Sequence, residues 1–255
     1  MNIKKKNRLT RLAGDQRFIP GIYNYCDRWC ERCPQTSHCL NFAISEEEFA
    51  DPETRDIRNE AFWKKLSEVF SDTIELLMEE AKIRDIDLEA LDTEGSDRDL
   101  DKSVVTAESQ EICRLAGLYG DMVEDWFKSD DNIFFSSPAL PEEALAFEEA
   151  IEVIRWYQHF IYVKLHRAVR GEWVEEEKEF EEFPRDSEGS AKAALIGIDR
   201  SISAWGTVYA HDLLHKDNIL RFTSFLDFLR EAVQKTFPDA RAFIRPGFDK
   251  IDLNS

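Results

Sequence analysis

Apolar residues along most of this chain recur at intervals of three and four, the period of a helix with one buried face. Between about Glu53 and Ile86 the positions Ile57, Phe62, Leu66, Val69, Phe70, Leu77, Met78 and Ala81 keep that period and predict one long amphipathic helix. A second helix, from about Val104 to Phe127, turns Ile112, Leu115, Leu118, Tyr119, Met122 and Trp126 inward, with Gly117 and Gly120 small enough to admit a neighbour. Pro141, favoured in a first helical turn, opens a third that runs to about Val169 through Leu145, Ile151, Ile154, Trp156, Phe160, Ile161 and Leu165. The fourth, capped by Ser190, covers about 191–214 with Leu195, Ile198, Trp205 and Val208 inward, and a fifth over 218–237 ends at Pro238. Strand-like alternation persists nowhere. The predicted fold is all-α, a bundle of four to five long helices, with Trp63, Trp126, Trp156 and Trp205 at or beside the apolar stripes and mostly buried.

Polar stretches divide this pattern. Residues 87–102 are acidic, contain Gly95 and read as a solvated connector; Glu172 to Glu188, broken by Pro184, reads as a second loop. Ser45-Glu46-Glu47-Glu48 matches a capping box and predicts a short helical turn before Asp51-Pro52. The expected divisions are an N-terminal tail and cysteine segment (1–45), the bundle (46–240) and a C-terminal tail (241–255). The stretch ARAFIRPGFDK alternates aromatics with Arg and is expected to lie against the bundle.

Charge narrows the partners. Lys plus Arg number 33 against 52 Asp plus Glu, a net charge of -19 over 255 residues, which opposes the counterion release that drives nucleic-acid binding. The basic group Lys4, Lys5, Lys6, Arg8 and Arg11 reads as a solvated tail. No run approaches the ~18 apolar residues of a membrane span, and no apolar stretch follows the basic N-terminus as in a signal peptide. The expectation is a cytoplasmic protein, off the membrane, in a compartment where thiols stay reduced.

The chemistry concentrates in YNYCDRWCERCPQTSHC, where Cys26, Cys30, Cys33 and Cys39 are spaced C-x3-C-x2-C-x5-C. One tetrahedral ion needs four thiolates at about 2.3 Å, and such a cage stabilises a segment too short to bury a core. Cys30 and Cys33 have the spacing of a zinc knuckle, Pro34 stiffens its exit, and Cys26 stands one helical turn before Cys30. Zinc in a structural role is the expected cofactor. A [4Fe–4S] cluster is the alternative, since ferredoxins also pack cysteines closely and favour Cys-Pro. His38 is a possible substitute ligand, though an exposed loop histidine explains it as well. The fifth cysteine, Cys113, sits beside Ile112 as a small core residue.

Two helices carry a weaker signal. His211 and His215 are spaced i, i+4, and His159 and His166 share a face with Glu152. Convergence of Glu152, His159, His211 and His215 would make a metalloenzyme centre, but no Glu-x-x-His pair of the di-iron bundles is present. Gly189 and Ser190 at a helix N-terminus, with Lys192, form an anion seat on paper, and Arg155 adds positive charge nearby. A ligand pocket between the third and fourth helices would therefore be lined by Glu152, Arg155, His159, Lys192, His211 and His215, and would take a small anion. The plainer reading is solvated histidines, salt bridges and an ordinary helix cap. The other expected partner is a protein, its identity open.

The cysteine segment resembles the structural zinc lobe of medium-chain alcohol dehydrogenases, where four cysteines lie in one short loop; that resemblance covers this segment and implies no activity. With GSAKAALIGIDRSISAW and FPDARAFIRPGFD downstream, the motif YCDRWCERCP resembles a group of uncharacterised bacterial helical proteins. That resemblance spans most of the chain and implies a shared helical fold with a cysteine site.

Overall fold

A computed structural model describes residues 3–87, 107–129, 141–177, 186–211 and 215–249. Among the described residues there are seven α-helices and no strand: α1 Ile3–Ala13, α2 Leu40–Glu48, α3 Glu60–Ile83, α4 Ala107–Ser129, α5 Pro141–Glu177, α6 Asp186–His211 and α7 Lys216–Thr236. The chain divides into two compact units. One takes in Met1–Tyr23, Arg28–Ser103 and Pro246–Phe248; the other takes in Asn24–Asp27, Val104–Arg245 and Asp249–Ser255.

The second unit is a four-helix bundle. Each of α4, α5, α6 and α7 packs against two others, α4 on α5 and α7, and α6 on α5 and α7. Adjacent helices run antiparallel: Gly171 of α5 lies beside Ser187 of α6, while Gly197 further along α6 lies beside Tyr157 further back on α5. Gly120 admits its neighbour as the spacing predicts, since a Cβ there would stand 3.0 Å from the Gln158 carbonyl and from His159 Nδ1. The core is aromatic at one level: Trp126, Trp205 and Phe222, from three helices, meet with ring centroids 4.7 to 5.8 Å apart.

The helix ends differ from the periodicity. α5 runs past 169 to Glu177 and α6 starts at Asp186, so the expected loop at 172–188 is helical on both flanks. Residues 178–185 and most of the expected connector at 87–102 lie outside the described residues, as do 250–255 of the tail. Within the bundle unit the tail docks as expected: Arg241 Nη1 lies 2.6 Å from Asp199 Oδ2, and the Phe243 ring meets Tyr25 at 4.9 Å between centroids.

The first unit departs more. α3 begins at Glu60, where the Asn59 side chain accepts the Ala61 amide, and it groups with α1 and α2 rather than with the four helices of the bundle. Ser45 stands inside α2, whose N-cap is Cys39, so the capping box is not used. The basic N-terminal residues lie on α1, and three of them are paired: Lys5 Nζ lies 2.9 Å from Glu48 and 2.6 Å from Asp72, while Lys6 meets Glu79 and Arg8 meets Glu47. Burial works against the Lys5 charge, yet its two carboxylate partners outweigh that and raise its pKa. Of the four tryptophans expected inside, Trp126 and Trp205 are buried and Trp156 half-buried, but Trp63 is 55% exposed.

Candidate functional site

The cysteines occupy tight turns. Cys26 lies in the 24–27 segment of the bundle unit, and Cys30, Cys33 and Cys39 lie in the other unit. The helical turn expected between Cys26 and Cys30 does not form: Arg28 has φ of 62°, in the left-handed region that side chains other than glycine enter at a cost. Cys30 opens a 3-10 turn, Cys30–Arg32, and its carbonyl accepts the Cys33 amide at 3.2 Å. Beyond Pro34, the Gln35 N–H donates to Cys33 Sγ at 3.4 Å. A second 3-10 turn, Thr36–His38, leads to Cys39, whose Sγ accepts the Phe42 N–H at 3.4 Å and so caps α2. All four thiols are half-buried and outside any disulfide. His38 is exposed, with Nδ1 3.0 Å from the Arg17 carbonyl. Among the described residues, no three His, Cys, Asp or Glu side chains are gathered to hold a metal ion.

The segment carrying Cys26 is tied to the bundle by Trp156, Tyr157 and Lys164 of α5 and Arg200 of α6. Asp27 Oδ2 accepts from the Tyr157 hydroxyl at 2.7 Å and from Arg200 Nη1 at 2.6 Å, and its carbonyl accepts from Trp156 Nε1 at 3.0 Å. Lys164, only 6% exposed, donates to the Asn24 carbonyl at 2.6 Å. Burial first, and the neighbouring Asp27 carboxylate second, push the Tyr157 phenol well above its ordinary range, so it stays a donor. A signal was available: Lys164 falls on the buried stripe of Tyr157, Ile161 and Ala168, and a charge at such a position requires a partner.

The residues expected to share a ligand pocket are spread along the bundle. Lys192 and His211 stand nineteen residues apart on α6, which at 1.5 Å per residue is about 28 Å. His159, near the level of Gly197 by the packing of Tyr157 and Phe160, is by the same rise roughly 20 Å from His211. His159 is exposed and lies 3.4 Å from Glu124; Arg155 is exposed with its guanidinium 4.1 Å from the Phe127 ring centroid; Glu152 is exposed; His215 meets the Trp126 ring. No shared centre forms among Glu152, Arg155, His159, Lys192, His211 and His215, because antiparallel packing sets them at different heights.

The anion seat is filled by the chain itself. α6 starts at Asp186, so Ser190 lies within the helix rather than capping it, and it is fully buried. The Tyr25 and Phe243 rings cover Gly189, where a Cβ would stand 2.3 Å and 2.8 Å from them. Lys192 Nζ donates to the Phe243 carbonyl at 2.5 Å and pairs with Asp249 at 2.8 Å, while Arg245 adds a second cation at 2.9 Å. Burial by itself would raise the Asp249 pKa, but the hydrogen bonds from Arg245 and Lys192 outweigh it and hold the carboxyl well below the usual range. A carboxyl depressed in the folded state contributes stability above its unfolded pKa of about 3.9 and loses it as pH falls further. Asp249→Asn is therefore expected to flatten the loss of bundle stability between about pH 4 and pH 2, followed by circular dichroism in denaturant titrations at each pH.

No protein-family model matches the chain, and no curated protein or solved structure is significantly similar to it. No helix among the described residues is long and apolar enough to cross a membrane.

Proposed function

We propose that this is a metal-binding helical protein of the cytoplasm in which Cys26, Cys30, Cys33 and Cys39 hold one structural zinc ion, and that it acts by binding rather than by catalysis. The observation that carries this reading is four half-buried thiols, none in a disulfide, within fourteen residues on successive tight turns. The turns suit ligand sulfurs in one further respect. Cys33 and Cys39 each receive a backbone N–H, the kind of donor that spreads the charge of a ligating thiolate. The share of Cys26 rests on its spacing in the sequence. Since the described sulfurs are not gathered around a point, binding has to draw the turns together, and the ion then contributes folding energy to this segment. A reduced cytoplasm keeps such thiols available. The scattered helix histidines give a catalytic centre no support.

Elemental analysis of protein purified without oxygen tests this. One zinc per chain in a colourless protein is the expected result. Iron with sulfide and absorption near about 400 nm would assign a [4Fe–4S] cluster instead, and a metal-free, fully folded protein would overturn the reading. Cys30→Ser is expected to release the ion and loosen residues 20–45 while leaving most helicity in place. Chelation should expose four thiols to alkylation; Cys113, its pKa pushed up to about 11 by burial, should react only after denaturation.

A further inference from the structure

Two of the four clustered cysteines share one turn. Cys30 opens the 3-10 turn Cys30–Arg32, and the Cys33 amide closes it on the Cys30 carbonyl at 3.2 Å. A turn closed from residue i to i+3 holds its end Cα atoms within about 7 Å, and in 3-10 geometry the side chains at i and i+3 eclipse one another. A disulfide needs Cα atoms about 4.4–6.8 Å apart with Cβ atoms that do not diverge. The turn suits both demands before any bond is made. The neighbouring cysteines are arranged otherwise. Arg28, between Cys26 and Cys30, has left-handed backbone at φ 62° in place of a helical turn, and Cys39 Sγ caps α2 by accepting the Phe42 N–H at 3.4 Å. Cys30 and Cys33 are half-buried and in no disulfide, which leaves them open to a small oxidant.

We infer that Cys30 and Cys33 are a redox-active dithiol that a peroxide closes to a disulfide across the turn, and that closure withdraws two of the four zinc ligands. The dithiol stands on the turn alone, whereas the release of the ion rests on the zinc reading proposed above. With hydrogen peroxide as oxidant the step balances. One thiolate attacks a peroxide oxygen, the O–O bond breaks, hydroxide leaves and the sulfur becomes a sulfenic acid. The second thiolate attacks that sulfur, the S–S bond forms as the S–O bond breaks, and a second hydroxide leaves. The two sulfurs lose two electrons between them and the peroxide gains both. A thiol reductant returns the pair to the dithiol, as befits a transient disulfide in a reducing compartment.

The full chain, reduced and stripped of metal by a chelator, is treated with one equivalent of hydrogen peroxide. Two of its five thiols should be lost, with a mass two hydrogens lower, full reversal by dithiothreitol and a Cys30–Cys33 link in mass spectra of proteolytic fragments. Cys39→Ser should keep that link and Cys33→Ser abolish it; the link is mapped in the wild type, so a variant that fails to fold does not decide the result. A disulfide to Cys26 or Cys39 instead, oxidation to sulfinic acid without pairing, or no loss of thiols overturns the inference. Zinc-loaded chain is then oxidised beside a coloured zinc indicator, and one zinc should be freed per disulfide closed. Zinc retained after closure overturns the release. A chain that closes the pair but never takes up zinc overturns the zinc reading, and the release with it, and leaves the dithiol standing; a chain that holds zinc but, once stripped, does not close the pair does the reverse.

Discussion

Trp205→Ala is expected to lower the stability of the bundle by about 3–5 kcal/mol, the cost of emptying a large aromatic site that neighbours refill only in part. Trp205 is fully buried on α6, its ring 5.1 Å from that of Trp126 and 4.7 Å from that of Phe222, so three helices lose contact at once. A polar cost adds to the cavity. The Trp205 indole N–H donates to the Tyr119 hydroxyl at 3.0 Å, and that hydroxyl is buried so deeply that its pKa is pushed up to about 12. Alanine leaves it short of a donor. Trp205→Phe keeps most of the ring contact and should cost distinctly less. The measurement is urea unfolding followed by circular dichroism. A loss below about 1 kcal/mol for the alanine variant would mean that this aromatic cluster does not hold the helices together.

The bundle was legible because its helices are long and their buried faces keep one period. Ile112, Leu115, Tyr119 and Trp126 on α4, and Leu195, Ile198, Trp205 and Val208 on α6, point inward where the spacing puts them, whereas Leu118 on α4 and Leu145 near the start of α5 are exposed at the edge of their stripes. α3 shows the limit of that logic. Its stripe is as regular as the others, but periodicity reports that a helix has an apolar face and not what covers it. The spacing therefore places Trp63 and Phe70 on a buried face, whereas both are exposed.

Charged groups fared differently by location. Lys5 and Arg8 read as a tail because nothing in one sequence shows that Glu47, Glu48 and Asp72 will face them across a helix pair. The Lys192 seat looked open for the same reason: its occupants, Phe243 and Asp249, lie more than fifty residues away. Histidine spacing could suggest a cluster on one helix, yet the height of each residue in an antiparallel pair depends on where the intervening turn falls. The cysteines lie within fourteen residues of chain, yet among the described residues their side chains are not gathered into a metal-holding group, because nearness in sequence does not set where each side chain points.

Gly189→Val is expected to release this junction, destabilising the bundle by about 3 kcal/mol through overpacking. A Cβ at Gly189 would stand 2.3 Å from the Tyr25 ring and 2.8 Å from Phe243, well inside any real contact. Neither ring can swing aside cheaply: Tyr25 is 5% exposed, and Phe243 is fixed through its own carbonyl by Lys192. The added side chain therefore has to lift the 24–27 segment, the tail or both from α6, and with it goes the Asp27 contact to Tyr157 and Arg200. Gly206, on the same helix, provides the control. It is exposed and a Cβ there would meet nothing within 4 Å, so Gly206→Ala should stabilise the protein by about 0.5–1 kcal/mol through helix propensity alone. Opposite signs at two glycines seventeen residues apart on one helix distinguish packing from propensity. Hydrogen exchange should locate the damage of Gly189→Val at residues 24–27 and 240–249, while α4 and α7 keep their protection. Stabilisation by Gly189→Val would show that Tyr25 does not rest on this helix, and the attachment of the Cys26 segment to the bundle would fall with it.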